Sequence, residues 1–291
     1  MRRLTTLRAR GEASPRATVA ASKSHRTCYR PAQQPKAPML WKIADSPLHI
    51  LGAIHCANAP LTLSGEALQA LSAAKILAFE TSLDAVPDLS AGFFPSGQQL
   101  SDVIPPHLFT ETQALWSNSG LPDNLNRRRP WLALQGLVGP VFQSWGFDFA
   151  QGIDRAVKAG AKGRPLFSLE AAGIPFRCMA EAPLSEQVSG LARLVQQPLE
   201  VKAEIESIVE GWRRRDTQAL TSAVQLGHGL APILSAGLYG RRNRAWMPQL
   251  LRFARGVKPT VAVVGVLHMV GPDSLVDLLM AEGYSCELID A

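Results

Sequence analysis

The sequence is poor in charged residues and has no closely spaced cysteines. Charged residues make up 19% of the 291 positions and apolar residues 46%, a balance that excludes a largely disordered chain and supplies a substantial core. The four cysteines include no C-x-x-C pair, which excludes a zinc ribbon or a thioredoxin-like motif. Widely spaced thiols are typical of a reducing compartment, so we expect them to be free.

A long uninterrupted apolar run is also missing. Residues 1–38 contain no apolar segment of about 7–15 residues, which a secretory signal needs. The expected location is therefore cytoplasmic, with export left open if translation starts at another codon. The two uncharged stretches, 130–147 and 217–240, are interrupted by Gln, Gly and Pro. Because a spanning helix needs about 20 mostly apolar residues, we predict no transmembrane segment and interpret both stretches as buried helices of a soluble protein.

Positive charge is present, but it is concentrated in one segment. The formal net charge is +6; residues 1–38 carry nine basic residues and one acidic residue, a charge of +8, and the remainder carries −2. We predict that residues 1–38 are a disordered basic extension, with a transit peptide as the alternative and Met39 as an alternative start. Residues 39–291 are predicted to form one domain. Because the basic character belongs to the extension, no nucleic-acid partner is expected.

Hydrophobic patterning places strands near both ends of the domain and helices between them. Predicted strands cover residues 40–44, 48–54, 75–80, 164–169, 261–264 and 284–289. Predicted helices cover residues 64–74, 107–117, 131–145 (divided at Gly139-Pro140), 152–161, 181–195, 198–215, 237–252 and 274–281. The turn residues Asp45-Ser46-Pro47 join the first two strands into a hairpin. The pattern predicts an α/β (α+β) fold with a mixed sheet formed by strands from both termini and a long helical middle.

Two copies of a G-x-x-H motif follow strand-like segments. Gly52 to His55 ends the second predicted strand, and Gly265 to His268 follows the β-branched run 261–264. A histidine at the carboxyl end of a central strand lies where α/β folds bind ligands. Each motif alone is also compatible with an ordinary structural histidine. A shared site requires the two histidines to lie close together, and this proximity is a separate prediction.

Two acidic residues, Glu80 and Glu170, also end predicted strands. If Glu80 joins His55 and His268, the three side chains form a donor set suited to a divalent transition metal (Mn, Co or Zn) with open positions for water. Glu170 or Glu80 is then the candidate general base, and Arg242 is the candidate that stabilises the developing negative charge. A metal-free alternative uses histidine as the base and arginine as the stabiliser of an oxyanion.

Arg242 and Asn243 belong to a polar run that precedes a tryptophan. The ordinary interpretation of this run is a solvated basic turn on a helix. The functional interpretation places both residues in the same cleft, because arginine supplies a fixed charge and asparagine both donates and accepts hydrogen bonds.

Several short segments occur in order between residues 40 and 289. They are L-W-K-I, L-G-A-I-H, F-E-T, G-I-D, S-L-E, R-N-x-x-W and G-V-L-H-M-V-G, which begin at residues 40, 51, 79, 152, 168, 242 and 265. Together they resemble the TraB/GumN family, which is related to the TIKI metalloproteases and more distantly to ChaN-like haem-binding and erythromycin-esterase-like proteins. The resemblance implies a divalent-metal-dependent hydrolase or peptidase with His55, His268 and Glu80 at its centre and Arg242 and Asn243 close by.

The function expected from these features is a metal-dependent hydrolase that acts on a peptide or small-molecule substrate, with peptide bonds as the first choice. The alternative is a non-catalytic protein that sequesters a peptide signal or haem in the same cleft. Formation of a product favours the hydrolase, and stoichiometric binding without a product favours the sequestering protein. The oligomeric state is left open.

Overall fold

The computed structural model describes residues 39–82 and 84–289, and the predictions for residues 1–38 lie outside them. The strands are β1 (Leu40–Ile43), β2 (Leu48–Ala53), β3 (Ile76–Phe79), β4 (Leu166–Ser168), β5 (Thr260–Gly265) and β6 (Cys286–Leu288). They form one mixed sheet in the order β4-β3-β5-β2-β1-β6. This sheet, built largely from the two ends of the described chain, confirms the predicted fold class.

The turn between β1 and β2 forms the predicted antiparallel hairpin. Asp45 adopts a φ of 53°, a left-handed conformation that aspartate tolerates better than most side chains. The hydroxyl of Ser46 accepts the N–H of Leu48 at 3.1 Å and donates to the carbonyl of Ala254 at 3.0 Å. The turn is therefore tied to the helix that precedes β5.

β5 lies at the centre of the sheet and is buried along its whole length, as its β-branched run predicts. It pairs in parallel with β2 on one side and with β3 on the other. Because parallel strands end at the same edge, Ala53, Phe79 and Gly265 all lie at one edge of the sheet. The residues that follow them in the chain are thereby brought together.

Helices surround the sheet and fill the middle of the chain. They are α1 (Gly65–Ala73), α2 (Pro106–Asn118), α3 (Pro130–Ser144), α4 (Ile153–Ala159), α5 (Ile174–Glu181), α6 (Leu184–Gln196), α7 (Pro198–Arg214), α8 (Thr217–Leu230), α9 (Pro232–Ala236), α10 (Arg242–Ala254) and α11 (Leu275–Ala281). One hydrophobic cluster covers the sheet. A second cluster lies between α2, α3 and α6.

The predicted break of α3 at Gly139-Pro140 is wrong, because the helix runs through both residues. A proline in a helix clashes with the side chain of the preceding residue and with the carbonyl four residues earlier. Gly139 has no Cβ to make the first clash. The earlier residue, Gly136, packs against Trp116 so closely that a Cβ there would lie 2.6 Å from the indole ring. Tertiary packing therefore keeps the helix continuous.

Two other helix predictions also need correction. The helix predicted from residue 181 begins at Leu184, after an unpredicted helix, α5, because the extended Pro183 separates the two. The stretch 217–240 is not one buried segment: α8 buries only Leu220 and Val224, and Pro232 starts a separate short helix. Among residues 39–82 and 84–289, none of the helices combines the length and the apolar character needed to cross a bilayer.

Candidate functional site

A cleft of about 490 Å³ opens at the edge of the sheet where β2, β3 and β5 end. Its polar end contains His55, Glu80, Asp154, Arg242 and His268. The remaining wall is mostly apolar and comes from β2 and β5 together with α3, α5 and α7. A concave apolar site with a few convergent polar groups is the usual form of a ligand-binding cleft.

His55 lies just after β2 and is half exposed to the cleft. Its Nδ1 lies 3.6 Å from Oδ1 of Asp154. The two residues are locked together by backbone contacts: the N–H of Ile153 donates to the carbonyl of Ile54 at 2.9 Å, and a Cβ on Gly152 would lie 2.5 Å from the carbonyl oxygen of His55. The glycine of the G-I-D segment is therefore required for this approach.

The ionisation of His55 follows from its neighbours. Desolvation of the inner part of the ring lowers the pKa of His55, but the neighbouring carboxylates of Asp154 and Glu80 outweigh it and raise the pKa to about 9. In this arrangement Nδ1 faces Asp154 and leaves Nε2 facing the cleft, 3.8 Å from Oε1 of Glu80.

His268 ends the short turn that follows β5, and only 3% of it is exposed. The amide of Asn243 donates through Nδ2 to the carbonyls of His268 and Asp273, at 3.3 Å and 2.8 Å. Its Oδ1 must then accept from Nδ1 of His268, 2.6 Å away. This tautomer leaves an unprotonated Nε2 facing Glu80.

The burial of His268 favours the neutral imidazole. Burial lowers the pKa of His268, and the positive charges of Arg242 and His55 lower it further. Together they outweigh the negative charge of Glu80 and bring the pKa to about 3. The indole of Trp246 packs against the imidazole with ring centroids 4.5 Å apart. Asn243 and Trp246 together fix both the orientation and the protonation of His268.

Glu80 occupies the centre of the cluster. Its Oε1 accepts the N–H of Gly265 and lies 3.8 Å from Nε2 of both His55 and His268. Burial raises the pKa of Glu80, but the charges of His55 and Arg242 and the Gly265 N–H outweigh it and hold the pKa of this carboxyl well below its usual range. The carboxylate is therefore ionised at neutral pH.

Arg242, the first residue of α10, is buried between two carboxylates. Its Nη2 donates to Oε2 of Glu80 at 2.7 Å and to Oε1 of Glu170 at 2.6 Å, and Nε donates to the same oxygen of Glu170 at 2.9 Å. Its Nη1 donates to the carbonyl of Leu238 at 2.9 Å and lies 3.3 Å from Nε2 of His268. These contacts account for all five N–H groups of a guanidinium.

Glu170 lies behind Arg242, away from the residues that line the cleft. Its second oxygen, Oε2, accepts the indole N–H of Trp246 at 3.0 Å. Both carboxylate oxygens are thus held by buried donors. The structure brings the five other predicted site residues into one connected cluster and places Glu170 one side chain farther from the cleft.

The predicted resemblance is confirmed by comparison with protein families. Residues 39–288 match the TraB/PrgY/gumN family. The chain belongs to the TraB/PrgY/gumN family. No curated protein and no solved structure matches it. The part of this TraB/PrgY/gumN protein that matches contains every side chain of the cleft described above.

The polar end of this TraB/PrgY/gumN cleft carries side chains of the types that bind divalent ions, although His55, with a pKa of about 9, must lose the proton on Nε2 before it can act as a ligand. Two imidazole Nε2 atoms face one carboxylate oxygen, and each Nδ1 faces an oxygen acceptor that orients the ring. A Cβ on Gly265 would lie 3.0 Å from Nε2 of His55 and 3.1 Å from Oε1 of Glu80, so this glycine leaves space beside the donors. The residues therefore fit such an ion in donor type.

The spacing of the donors is wider than in a closed coordination shell. The two Nε2–Oε1 distances are both 3.8 Å, and within residues 39–82 and 84–289 the His, Cys, Asp and Glu side chains form no group of three already close enough to hold a metal. Glu80 and Glu170 contact the guanidinium of Arg242, and Asp154 lies beside His55. Once His55 is neutral, these three carboxylates outnumber the one guanidinium, which favours a cation.

Three further residues of this TraB/PrgY/gumN site were not among the predicted site residues. Asp154 and Trp246 lie in the G-I-D and R-N-x-x-W segments, so a sequence signal for both existed. Tyr239 had none: it lies in a π-helical turn, Gly237–Arg241, that precedes α10. Its ring meets the imidazole of His268 edge-on, with centroids 5.3 Å apart. Burial and the charge of Glu80 raise the pKa of Tyr239 despite the opposing charge of Arg242.

Proposed function

We propose that the cleft is the active site of a divalent-metal-dependent hydrolase that cleaves peptide bonds. The observation that supports this proposal is the convergence of two oriented imidazole Nε2 atoms on one ionised carboxylate oxygen. They meet at the carboxyl edge of parallel strands, inside a cleft large enough for several side chains of a substrate. Membership of the TraB/PrgY/gumN family is compatible with this activity but does not demonstrate it.

His55, His268 and Glu80 are the residues proposed to hold the ion. Imidazole and carboxylate ligands suit Mn, Co or Zn. When bound, such an ion supplies Lewis-acid polarisation of a carbonyl and a water molecule of lowered pKa. The protein supplies orientation: Asp154 holds the ring of His55, and Asn243 holds that of His268.

The charges around the donors are set by the chain itself. Arg242 neutralises part of the negative charge on Glu80 and Glu170 and favours the ionised form of Glu80. Of these two carboxylates, Glu80 faces the cleft, whereas both oxygens of Glu170 are held by Arg242 and Trp246. We therefore assign the role of metal ligand to Glu80 and a positioning role to Glu170.

Peptide cleavage in the presence of metal tests the proposal. The purified full chain is freed of metal with a chelator, supplied separately with Mn²⁺, Co²⁺ or Zn²⁺ and incubated with a mixed peptide library, and mass spectrometry reads the new termini. We expect cleavage with at least one ion and none after chelation. His268→Ala should lose at least about 100-fold in rate. The control His107→Ala, an exposed histidine of α2, should cleave like the wild type.

The same experiment can overturn the proposal. If the wild type releases no peptide with any of the three ions, or if His268→Ala yields the same products at the same rate, the cleft is not a metal-dependent peptidase.

A binding protein remains the second candidate because most of the cleft wall is apolar. Such a protein would retain a peptide or haem without turnover. Stoichiometric binding of a library peptide with no new termini would favour peptide sequestration. A Soret band on adding haem, lost in His55→Ala, would favour haem binding.

A further inference from the structure

Hydrolysis of a peptide bond places negative charge on the carbonyl oxygen, and a donor must stabilise it. Arg242 is poorly suited to this role. All five of its N–H groups already face Glu80, Glu170, Leu238 and His268. To bind a substrate oxygen, Arg242 would have to give up one of these buried partners, which would leave that partner unsatisfied.

Two hydroxyl groups on the described wall of the cleft are better available. Tyr239 and Thr81 both line the cleft, and neither hydroxyl makes a hydrogen bond to another described residue. The two differ in how firmly they are held. The Tyr239 ring packs edge-on against His268, and the carbonyl of the preceding residue, Leu238, accepts from Arg242. Thr81 lies in the loop that follows β3.

We propose that Tyr239 is a further catalytic residue, whose hydroxyl donates a hydrogen bond to the carbonyl oxygen of the substrate as that oxygen gains negative charge. This inference rests on the proposed hydrolase function. The ring of Tyr239 packs against His268, one of the residues proposed to hold the ion, and Tyr239 belongs to the wall of the same cleft. A carbonyl held at the ion would therefore share the cleft with this phenol.

The hydrolytic step balances without consuming the phenol. The oxygen of water forms a bond to the carbonyl carbon, the C–N bond breaks, and the leaving nitrogen receives a proton from the water. Carboxylic acid and amine are the products. Tyr239 keeps its proton throughout, as expected for a group whose ordinary pKa is about 10.

Tyr239→Phe tests the inference because it removes one oxygen and keeps the ring against His268. With a peptide found by the library experiment, kcat should fall about 100-fold, the typical loss of one oxyanion donor, with KM changed less than about threefold. Metal affinity, by calorimetry, and the free energy of unfolding should match the wild type. The control Tyr284→Phe removes the same atom from a tyrosine outside the cleft and should leave kcat unchanged.

A parallel variant, Thr81→Val, tests the competing hydroxyl. The inference is overturned if Tyr239→Phe keeps the kcat of the wild type, if its loss lies in KM alone, or if Thr81→Val is the variant that loses kcat. The two proposals fail differently. A wild type that cleaves no peptide overturns the hydrolase proposal and this one with it, whereas an active wild type with an equally active Tyr239→Phe overturns this one alone.

Discussion

At the scale of single residues, Arg242 makes the acidic centre of the site possible. Glu80 and Glu170 follow neighbouring parallel strands, and the N–H of Glu170 donates to the backbone carbonyl of Glu80 at 2.9 Å. Two buried carboxylates this close repel each other unless a cation lies between them. The guanidinium bridges both, so removing Arg242 leaves two buried carboxylates without the cation between them.

The indole N–H of Trp246 completes this group, and its contribution to stability can be measured. Trp246→Phe removes the donor to Oε2 of Glu170. A hydrogen bond to a charged group contributes about 1.5–3 kcal/mol. The matched control is Trp131→Phe, because Trp131 is equally buried and its indole N–H has no hydrogen-bond partner among the described residues.

We expect Trp246→Phe to reduce the free energy of unfolding, measured by urea denaturation, by about 1.5–3 kcal/mol more than Trp131→Phe does. Both variants lose a similar apolar area, but Trp246→Phe also alters the ring that lies 4.8 Å from Cζ of Arg242, so the difference reports the hydrogen bond together with that contact. Equal losses in the two variants would show that Trp246 acts through packing alone.

At the scale of elements, strands could be predicted more fully than helix ends. The β-branched run of β5 and the turn residues between β1 and β2 are local signals, and both predictions are confirmed. The break in α3 was predicted from Gly139-Pro140 because proline disfavours a helix interior. The helix nevertheless continues through both residues, and one turn earlier, at Gly136, it packs closely against the ring of Trp116.

The packing of α3 gives a prediction at this scale. Gly136→Ala would place a methyl group 2.6 Å from the Trp116 ring, and overpacking of this kind destabilises proteins by about 1–3 kcal/mol. Gly227→Ala in α8 meets no atom within 4 Å and should stabilise the helix by about 0.5–1 kcal/mol. Thermal or urea unfolding of both variants checks the pair. A neutral Gly136→Ala would mean that α3 is not held by this contact.

At the scale of the whole molecule, the candidate site depends on pairings that no local pattern encodes. The sequence placed His55, Glu80 and His268 at the ends of strands, but it did not reveal that β2, β3 and β5 are neighbours with their carboxyl ends at one edge. It also did not reveal that each of the five N–H groups of Arg242 faces an acceptor, because these contacts form only when α10 packs against the rest of the fold. The observed sheet confirms the fold class, and family membership leaves the chemistry to experiment.

The central claim is that the two G-x-x-H motifs form one cation site. Calorimetric titration of Co²⁺ into the full chain tests it most directly, with wild type, His55→Ala, His268→Ala and the double variant measured side by side. If both imidazoles serve one ion, each single substitution removes most of the binding and the double variant loses little more. A wild type that binds no Co²⁺, or single losses that simply add in the double variant, would contradict a shared site.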